Sequence, residues 1–199
     1  LELDGAAGTI VDLVYSEEEP VGQPLLSRML RPVDRFVLRD GLQTLEVAFG
    51  WKTWRYLVLV VQSPQRALHI KRVGMRTRKY PTHENSGCFS CGDADLVHLD
   101  RICRHTLELC RQDAIVDSPS REQQQWMGDG RTQCICGYKM SADARLHENV
   151  LRQIGQSQRA NGLLKPRHPD DHNNNSSIPT FNLAWVSSFY EYYLQNGDK

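Results

Sequence analysis

Hydrophobic and polar positions alternate over the first third of the chain, as they do in β-strands with one buried face. Between the alternating runs lie turn-forming residues such as Ser63, Pro64 and Gly41. The pattern predicts strands at Thr9–Tyr15, Asp34–Leu38, Thr44–Phe49, Trp54–Gln62 and Ala67–Arg76. About five strands separated by turns indicate an antiparallel β-sandwich, but a complete sandwich needs more, so we expect only part of one.

The periodicity changes after a segment rich in structure-breaking residues, and apolar residues then recur at helical spacing. A last helix is predicted at Phe181–Gln195, where Phe181, Trp185, Phe189 and Tyr192 form an aromatic stripe typical of a packing face. Two earlier helices are predicted from Leu99, Ile102, Cys103, Thr106 and Cys110, and from Leu146, Val150, Leu151 and Ile154. The predicted fold class is therefore α+β and multidomain, with residues 1–80 a β-sandwich segment, 81–92 a linker and 93–199 a helical domain.

Composition limits the classes of partner. The chain has 199 residues, of which 40% are hydrophobic and 24% charged, as in ordinary globular proteins. The charges of its 24 basic and 24 acidic residues cancel. A net charge of zero gives no general attraction to nucleic acid or to an anionic membrane, so we expect neither as a partner. The longest apolar run, Tyr56–Val61, is too short to span a bilayer.

Six cysteines raise the question of a metal. Cys88 and Cys91 form a CxxC pair, but no second pair follows at zinc-finger spacing. We therefore predict no metal site and no cofactor, and expect the cysteines to be reduced core residues. Reduced thiols, together with the lack of a signal peptide after Leu1, lead us to expect a cytoplasmic location.

The chemistry concentrates in residues 117–129, which read DSPSREQQQWMGD. Pro119 disfavours helix in the residue before it, Ser118, and so keeps the start of this segment irregular. Asp117 is therefore predicted on a loop. A helix beginning at Ser120 would place Glu122, Trp126 and Asp129 on one face, at positions i, i+4 and i+7. Each of these residues alone also suits a helix cap or a packed core.

The spacing D-x-P-x-R-E-x-x-x-W-x-G-D resembles the pattern of the bacterial α-L-rhamnosidase family, D-C-P-x-R-E-x-x-x-W-x-G-D. Ser118 stands in place of the usual cysteine, and Thr180 in place of a common aspartate. The resemblance also covers Phe89–Asp93, Leu99–Ile102, Thr106–Cys110, Arg152–Arg159, Gly162–Leu164 and Ile178–Trp185.

That resemblance implies a β-sandwich followed by the first helices of an (α/α)6 six-hairpin barrel. It also implies hydrolysis of terminal α-L-rhamnosides with inversion, so the expected partner is a rhamnose-containing glycoside or oligosaccharide. Glu122 would be the general acid, with a pKa raised by burial against Trp126 and by neighbouring carboxylates. The other residues assigned by the resemblance would bind the substrate: Asp117, Arg121, Trp126, Asp129 and Trp185.

Inversion requires a second carboxylate as general base. Glu148 and Glu191 lie outside any matching motif, so the resemblance places the base beyond this chain, in a downstream segment that would complete the barrel. Two alternatives stay open. One is a degenerate fragment that binds carbohydrate without hydrolysing it, and the other is a six-hairpin glycosidase acting on a different sugar.

Overall fold

The computed structural model describes residues 1–17, 33–81, 87–170 and 176–197. The chain forms two compact units, Leu1–Arg78 and Lys79–Lys199. Part of the predicted linker (82–86) and part of the polar loop before the last helix (171–175) lie outside the described residues. Within the described ranges, no helix is both long and apolar enough to cross a membrane.

The first unit consists of two three-stranded antiparallel sheets. In one sheet the order is β4–β1–β6, and in the other it is β3–β2–β5. The strands are β1 (Glu2–Gly5), β2 (Ile10–Ser16), β3 (Val33–Val37), β4 (Gly41–Thr44), β5 (Tyr56–Gln62) and β6 (His69–Arg72). Side chains from both sheets share one core, since Leu3 of β1 is buried in the same cluster as Val11 and Leu13 of β2.

Two strands differ from the sequence prediction. β1 was not predicted, because four residues are too few to show a period. The strand predicted at Thr44–Phe49 lies earlier, as β4, where Gly41 pairs with Gly5 and Thr44 pairs with Glu2. Backbone pairing with β1, which no local pattern reveals, thus selects the residues that form the strand.

The second unit contains four helices among its described residues: α1 (Ala94–Cys110), α2 (Met127–Gly137), α3 (Arg145–Gln156) and α4 (Pro179–Asn196). Helices α2, α3 and α4 enclose a core that includes Met127, Val150 and Ile154, all with no exposed surface. The predicted apolar stripe of α1 is not buried in the described structure. Leu99 and Ile102 are about half exposed, and Cys110 is the buried residue of the helix.

The α+β fold class is confirmed. The aromatic packing face of α4 is confirmed only in part, because Phe189 is 46% exposed. Phe181 and Trp185 pack against the helical core. Further along α4, Ser188 meets the buried His147 of α3, whose Nε2 lies 2.7 Å from the serine hydroxyl. The other ring nitrogen of His147, Nδ1, lies 2.8 Å from the hydroxyl of Tyr138. A hydrogen-bonded histidine therefore joins α3 to α4 and to the end of α2.

The cysteine prediction is wrong for four of the six residues. All six are free thiols, but Cys88, Cys91, Cys103 and Cys136 are exposed. Only Cys110 and Cys134 are core residues. No group of three or more potential metal ligands occurs in the part of the chain that the structure describes.

Candidate active site

Residues 117–124 form a closed loop. The backbone N–H of Asp117 donates to the carbonyl of Gln124 at 2.9 Å, and the N–H of Gln124 donates back to Oδ1 of Asp117 at 2.9 Å. Inside the loop, Gln123 has a left-handed backbone with φ of 54°, and its side-chain amide donates to the carbonyl of Pro119. These bonds hold the segment in one conformation without regular secondary structure.

The helix predicted from Ser120 is therefore wrong, because α2 begins only at Met127. A left-handed residue at Gln123 cannot continue a right-handed helix. Instead of capping by Ser120, the hydroxyl of Ser118 accepts the N–H of Glu122 at 3.3 Å. The predicted loop position of Asp117 is confirmed.

Glu122 and Trp126 still meet, although not through helical spacing. The indole Nε1–H of Trp126 donates to Oε2 of Glu122 at 2.8 Å. The other oxygen, Oε1, accepts from Nη2 of Arg121 at 3.2 Å. The Glu122 side chain is 34% exposed and that of Arg121 is 70% exposed, so this carboxylate faces solvent beside a loosely held cation.

These donors move the pKa of Glu122 in the direction opposite to the one expected. The hydrogen bond from Trp126 is the main cause that holds the pKa of the Glu122 carboxyl below its usual value, and Arg121 adds to it. Arg167 lowers that pKa further by its charge. The expectation of a raised pKa through burial against Trp126 is wrong, because the indole acts as a donor to the carboxylate and not as an apolar wall.

The pKa of Asp129 is shifted in the opposite direction, upward. Asp129 lies in the first turn of α2, and although the residue as a whole is exposed, partial desolvation raises the pKa of its carboxyl. The negative charges of Asp117 and Glu122 raise that pKa further. The structure thus places Asp117 and Glu122 close enough to Asp129 for their charges to act on its carboxyl.

Trp126 is held from several sides. Its backbone forms an isolated antiparallel bridge with Arg167, whose guanidinium carbon lies 4.9 Å from the centre of the indole. Phe181 meets the indole edge-on, with ring centres 6.2 Å apart and an angle of 78°. One region of the ring that was expected to face a sugar is therefore occupied by a guanidinium group.

Sequence reasoning missed two residues that fix this arrangement. Gln125 is buried, and its amide donates to Oε1 of Gln153 at 2.7 Å and to the carbonyl of His168 at 2.8 Å. Its Oε1 accepts the N–H of Ile115 at 3.3 Å. Arg167 was the second. The polar residues around Arg167 indicate a loop, but no pattern in the sequence shows what Arg167 contacts.

The structure places Trp185 apart from these contacts. Its indole Nε1–H donates to the backbone carbonyl of Leu151 at 2.9 Å, and its ring meets Phe189 edge-on at 4.7 Å. The ring also packs against Gly155, where an added Cβ would lie 3.1 Å from it. Trp185 thus lines a groove between α3 and α4 together with Tyr190.

The two glutamates considered as a base lie elsewhere. Glu191 of α4 forms a bidentate ion pair with Arg131 of α2, with both carboxylate oxygens 3.0 Å from Nε of the arginine. Glu148 is exposed in the first turn of α3, at the rim of the groove that Trp185 lines. Neither contacts the closed loop in the hydrogen bonds of the described residues.

A family model matches most of the helical unit. Residues 84–199 match the model of the bacterial alpha-L-rhamnosidase 6 hairpin glycosidase domain. No curated protein matches the chain.

Two solved structures resemble the chain over 99% of its length. A GH78 family rhamnosidase of Bacillus sp. GL1 is 30% identical with a TM-score of 0.89, and the chain covers 20% of it. A rhamnosidase from Klebsiella oxytoca, solved with rhamnose bound, is 19% identical with a TM-score of 0.76, and the chain covers 42% of it. The chain thus spans less than half of either protein. With more than half of its residues matched by the family model, the chain belongs to the bacterial α-L-rhamnosidase six-hairpin glycosidase family.

Proposed function

We propose that this chain supplies one half of an active site that hydrolyses terminal α-L-rhamnosyl residues with inversion, with Glu122 as the general acid. The observation that carries the proposal is the Glu122 carboxylate, fixed by Trp126 at 2.8 Å on a closed loop and electrostatically coupled to Asp129. Family membership supports the choice of reaction, and the Klebsiella oxytoca relative was solved with rhamnose bound.

In the proposed reaction, the bond between the anomeric carbon and the glycosidic oxygen breaks while the proton of Glu122 moves to that oxygen. A water molecule attacks the opposite face of the sugar, and a general base takes up its proton. Asp117, Arg121 and Asp129 would bind the sugar hydroxyls, and Trp126 would contact the sugar ring. Contact between Trp185 and the substrate stays a prediction, since its indole N–H is bonded to Leu151.

Proton donation requires the neutral form of Glu122, whereas Trp126 and Arg121 favour its carboxylate. Arg121 is the more easily displaced of the two donors, because its side chain is 70% exposed. A glycosidic oxygen that replaces Arg121 at Oε1 would remove one cause of the lowered pKa. We therefore expect activity to fall as pH rises through the pKa of Glu122, with an optimum on the acidic side of neutrality.

The general base is proposed to lie outside this chain, because the nearby carboxylates are poorly suited to the role. Oδ1 of Asp117 already closes the loop by accepting from Gln124. The charge of Glu122 raises the pKa of Asp129, so Asp129 lies on the side of the proposed acid, whereas an inverting base acts from the opposite face of the sugar. Glu191 is paired with Arg131. A segment that supplies the second carboxylate would complete the site, and we expect the 199-residue chain alone to be poorly active.

The test is hydrolysis of an aryl α-L-rhamnoside whose phenol is weakly acidic and therefore a poor leaving group. The reaction is followed by proton NMR with the protein that joins this chain to the proposed second segment. The first product should be the β anomer of rhamnose, and Glu122→Gln should abolish most of the turnover. Glu148→Gln is the matched control, because this exposed glutamate lies away from the loop, and it should leave the rate unchanged. Retention of configuration, or an unchanged rate in Glu122→Gln, would contradict the proposal.

A second candidate is a non-catalytic module that binds carbohydrate. It is favoured by the poor suitability of the neighbouring carboxylates as a base. Calorimetry of rhamnose with this chain, compared between wild type and Asp129→Asn, would show binding even where hydrolysis is absent. A third reading, a different sugar substrate, would be supported if a panel of aryl glycosides showed glucosides hydrolysed faster than rhamnosides.

A further inference from the structure

Arg167 lies against the indole that binds the proposed acid. Its guanidinium carbon is 4.9 Å from the centre of the Trp126 ring, and its backbone is bridged to that of Trp126. Nothing in the family pattern of residues 117–129 includes Arg167, which belongs to the loop between α3 and α4. The residue therefore reaches the site through tertiary structure alone.

The guanidinium itself is fixed by a buried carboxylate. Both Nε and Nη2 of Arg167 lie 3.2 Å from Oδ1 of Asp170. The Asp170 side chain is 3% exposed and that of Arg167 is 18% exposed, so solvent screens this pair weakly. Lys165 approaches the other oxygen of Asp170, at 3.8 Å, and thus shares the carboxylate with Arg167.

The indole N–H can only donate a hydrogen bond. In a neutral carboxylic acid the carbonyl oxygen is a stronger acceptor than the hydroxyl oxygen. An indole that stays on Oε2 of Glu122 therefore favours Oε2 as the carbonyl oxygen. It thereby favours the proton of the neutral acid on Oε1, the oxygen that the exposed Arg121 contacts.

We propose that Arg167 is a positioning residue of this site: anchored by Asp170, it holds the Trp126 indole so that Nε1–H stays on Oε2 of Glu122, which reserves Oε1 for the proton that is transferred. The inference rests on the proposed function for its catalytic meaning. Its structural part concerns only Arg167, Trp126 and Glu122. That part can be measured on the 199-residue chain without any turnover.

A purely structural role for Arg167 would be to dock the loop between α3 and α4. In that case its loss would disturb the fold broadly, and the Trp126 N–H would change no more than other indole groups. The positioning role predicts a selective effect. Trp185 provides the internal reference, because its N–H is bonded to a backbone carbonyl within the same unit.

The experiment is nitrogen–proton NMR of the indole groups in the ¹⁵N-labelled chain, with each resonance assigned from Trp→Phe variants. In the wild type, the Trp126 resonance should move as pH falls and Glu122 becomes neutral, and Glu122→Gln should remove that movement. In Arg167→Met, solvent exchange of the Trp126 N–H should become about five to ten times faster, as expected from losing one partly desolvated cation–π contact. Exchange of the Trp185 N–H should stay unchanged.

Two further variants keep the result interpretable. Lys165→Met removes the other cation near Asp170 and should leave Trp126 exchange unchanged. Arg167→Lys keeps the charge but loses the planar group, so it should restore protection only in part. Equal exchange of the Trp126 N–H in wild type and Arg167→Met would overturn the inference. So would equal acceleration at Trp126 and Trp185. Lack of rhamnoside hydrolysis would count against the proposed function and leave these NMR outcomes intact.

Discussion

Two tryptophans show how differently the helical unit uses one residue type. Trp126 donates its indole N–H at 2.8 Å and Trp185 donates its own at 2.9 Å, and each ring meets a phenylalanine edge-on. The acceptors differ. Trp185 bonds the backbone carbonyl of Leu151, whereas Trp126 bonds the carboxylate of Glu122.

The acceptor decides what each bond can do. A backbone carbonyl does not titrate, so the bond of Trp185 contributes to packing of α4 on α3 at every pH. A carboxylate titrates, and its interaction with Trp126 differs between its charged and neutral forms. The first tryptophan therefore stabilises the fold, while the second couples a loop conformation to the protonation of one group.

The largest expected effect concerns Trp185, the tryptophan that stabilises the fold. Trp185→Ala should lower the free energy of unfolding of the helical unit by about 3–5 kcal/mol, because it empties space against Gly155 and the core. Urea unfolding followed by circular dichroism measures this loss. Trp185→Phe serves as the control that keeps an aromatic ring, and should cost clearly less. Equal stability of wild type and Trp185→Ala would contradict a packing role for Trp185.

A second prediction concerns pH and the buried His147, which joins α3 to α4 through Ser188. Burial lowers the pKa of His147 to about 4, against an ordinary value of 6.5, while the charge of Glu191 opposes the shift. The unfolded chain therefore binds a proton first as pH falls. Stability of the helical unit should decrease between about pH 6.5 and 4, by roughly 3 kcal/mol in total.

Unfolding by urea at a series of pH values tests this. The groups that contact the imidazole are neutral: the hydroxyls of Tyr138 and Ser188 bond it, and the Tyr192 ring packs against it. Burial therefore outweighs the opposing charge of Glu191. His147→Gln should flatten the pH dependence in that window. A slope as steep in His147→Gln as in the wild type would show that other groups are responsible.

The third prediction concerns Trp126, whose hydrogen-bond acceptor titrates. Trp126→Phe keeps the ring but removes the donor to Glu122, so stability should fall by only about 1 kcal/mol, the value of one hydrogen bond. The pKa of Glu122 should rise, because its main lowering cause is lost. The alkaline limb of the pH–rate profile should then move to higher pH. Movement to lower pH would contradict the assigned direction.

The smallest effect is expected at Arg121. Its ion pair with Glu122 is exposed, so Arg121→Gln should change the free energy of unfolding by less than about 0.5 kcal/mol. The alkaline limb should still shift upward, since Arg121 also favours the Glu122 carboxylate. Arg131→Gln provides the contrast, because Arg131 pairs with Glu191 and its loss should affect stability without moving the alkaline limb.

The sequence predicted the helical unit better than the loop. Local periodicity identified α3 and α4, because a buried helical face leaves a repeat in the sequence. The pairing of Glu122 with Trp126 was expected from helical spacing and is present, but a closed loop produces it. The sequence predicts Pro119 as the residue before a helix, whereas in the structure its carbonyl accepts from Gln123 inside the loop.

Contacts between distant residues account for what the sequence could not supply. Arg167 and Gln125 approach the site through backbone bridges and buried amide bonds that leave no periodic trace. The direction of the Glu122 pKa also depended on geometry. An indole beside a carboxylate raises the pKa as an apolar wall and lowers it as a hydrogen-bond donor, and only the structure distinguishes the two.

The most direct test of Glu122 as the general acid is the dependence of rhamnoside hydrolysis on the acidity of the leaving group, measured in the protein that joins this chain to its proposed second segment. Glu122→Gln and Asp129→Asn are compared with the wild type, because both residues carry perturbed carboxyl groups. Loss of the proton donor should slow poor leaving groups by about 10²- to 10⁴-fold and spare strongly activated ones. We predict that Glu122→Gln shows this selective loss of rate and that Asp129→Asn slows the hydrolysis of all leaving groups alike. The reverse assignment, with the selective loss in Asp129→Asn, would contradict Glu122 as the acid.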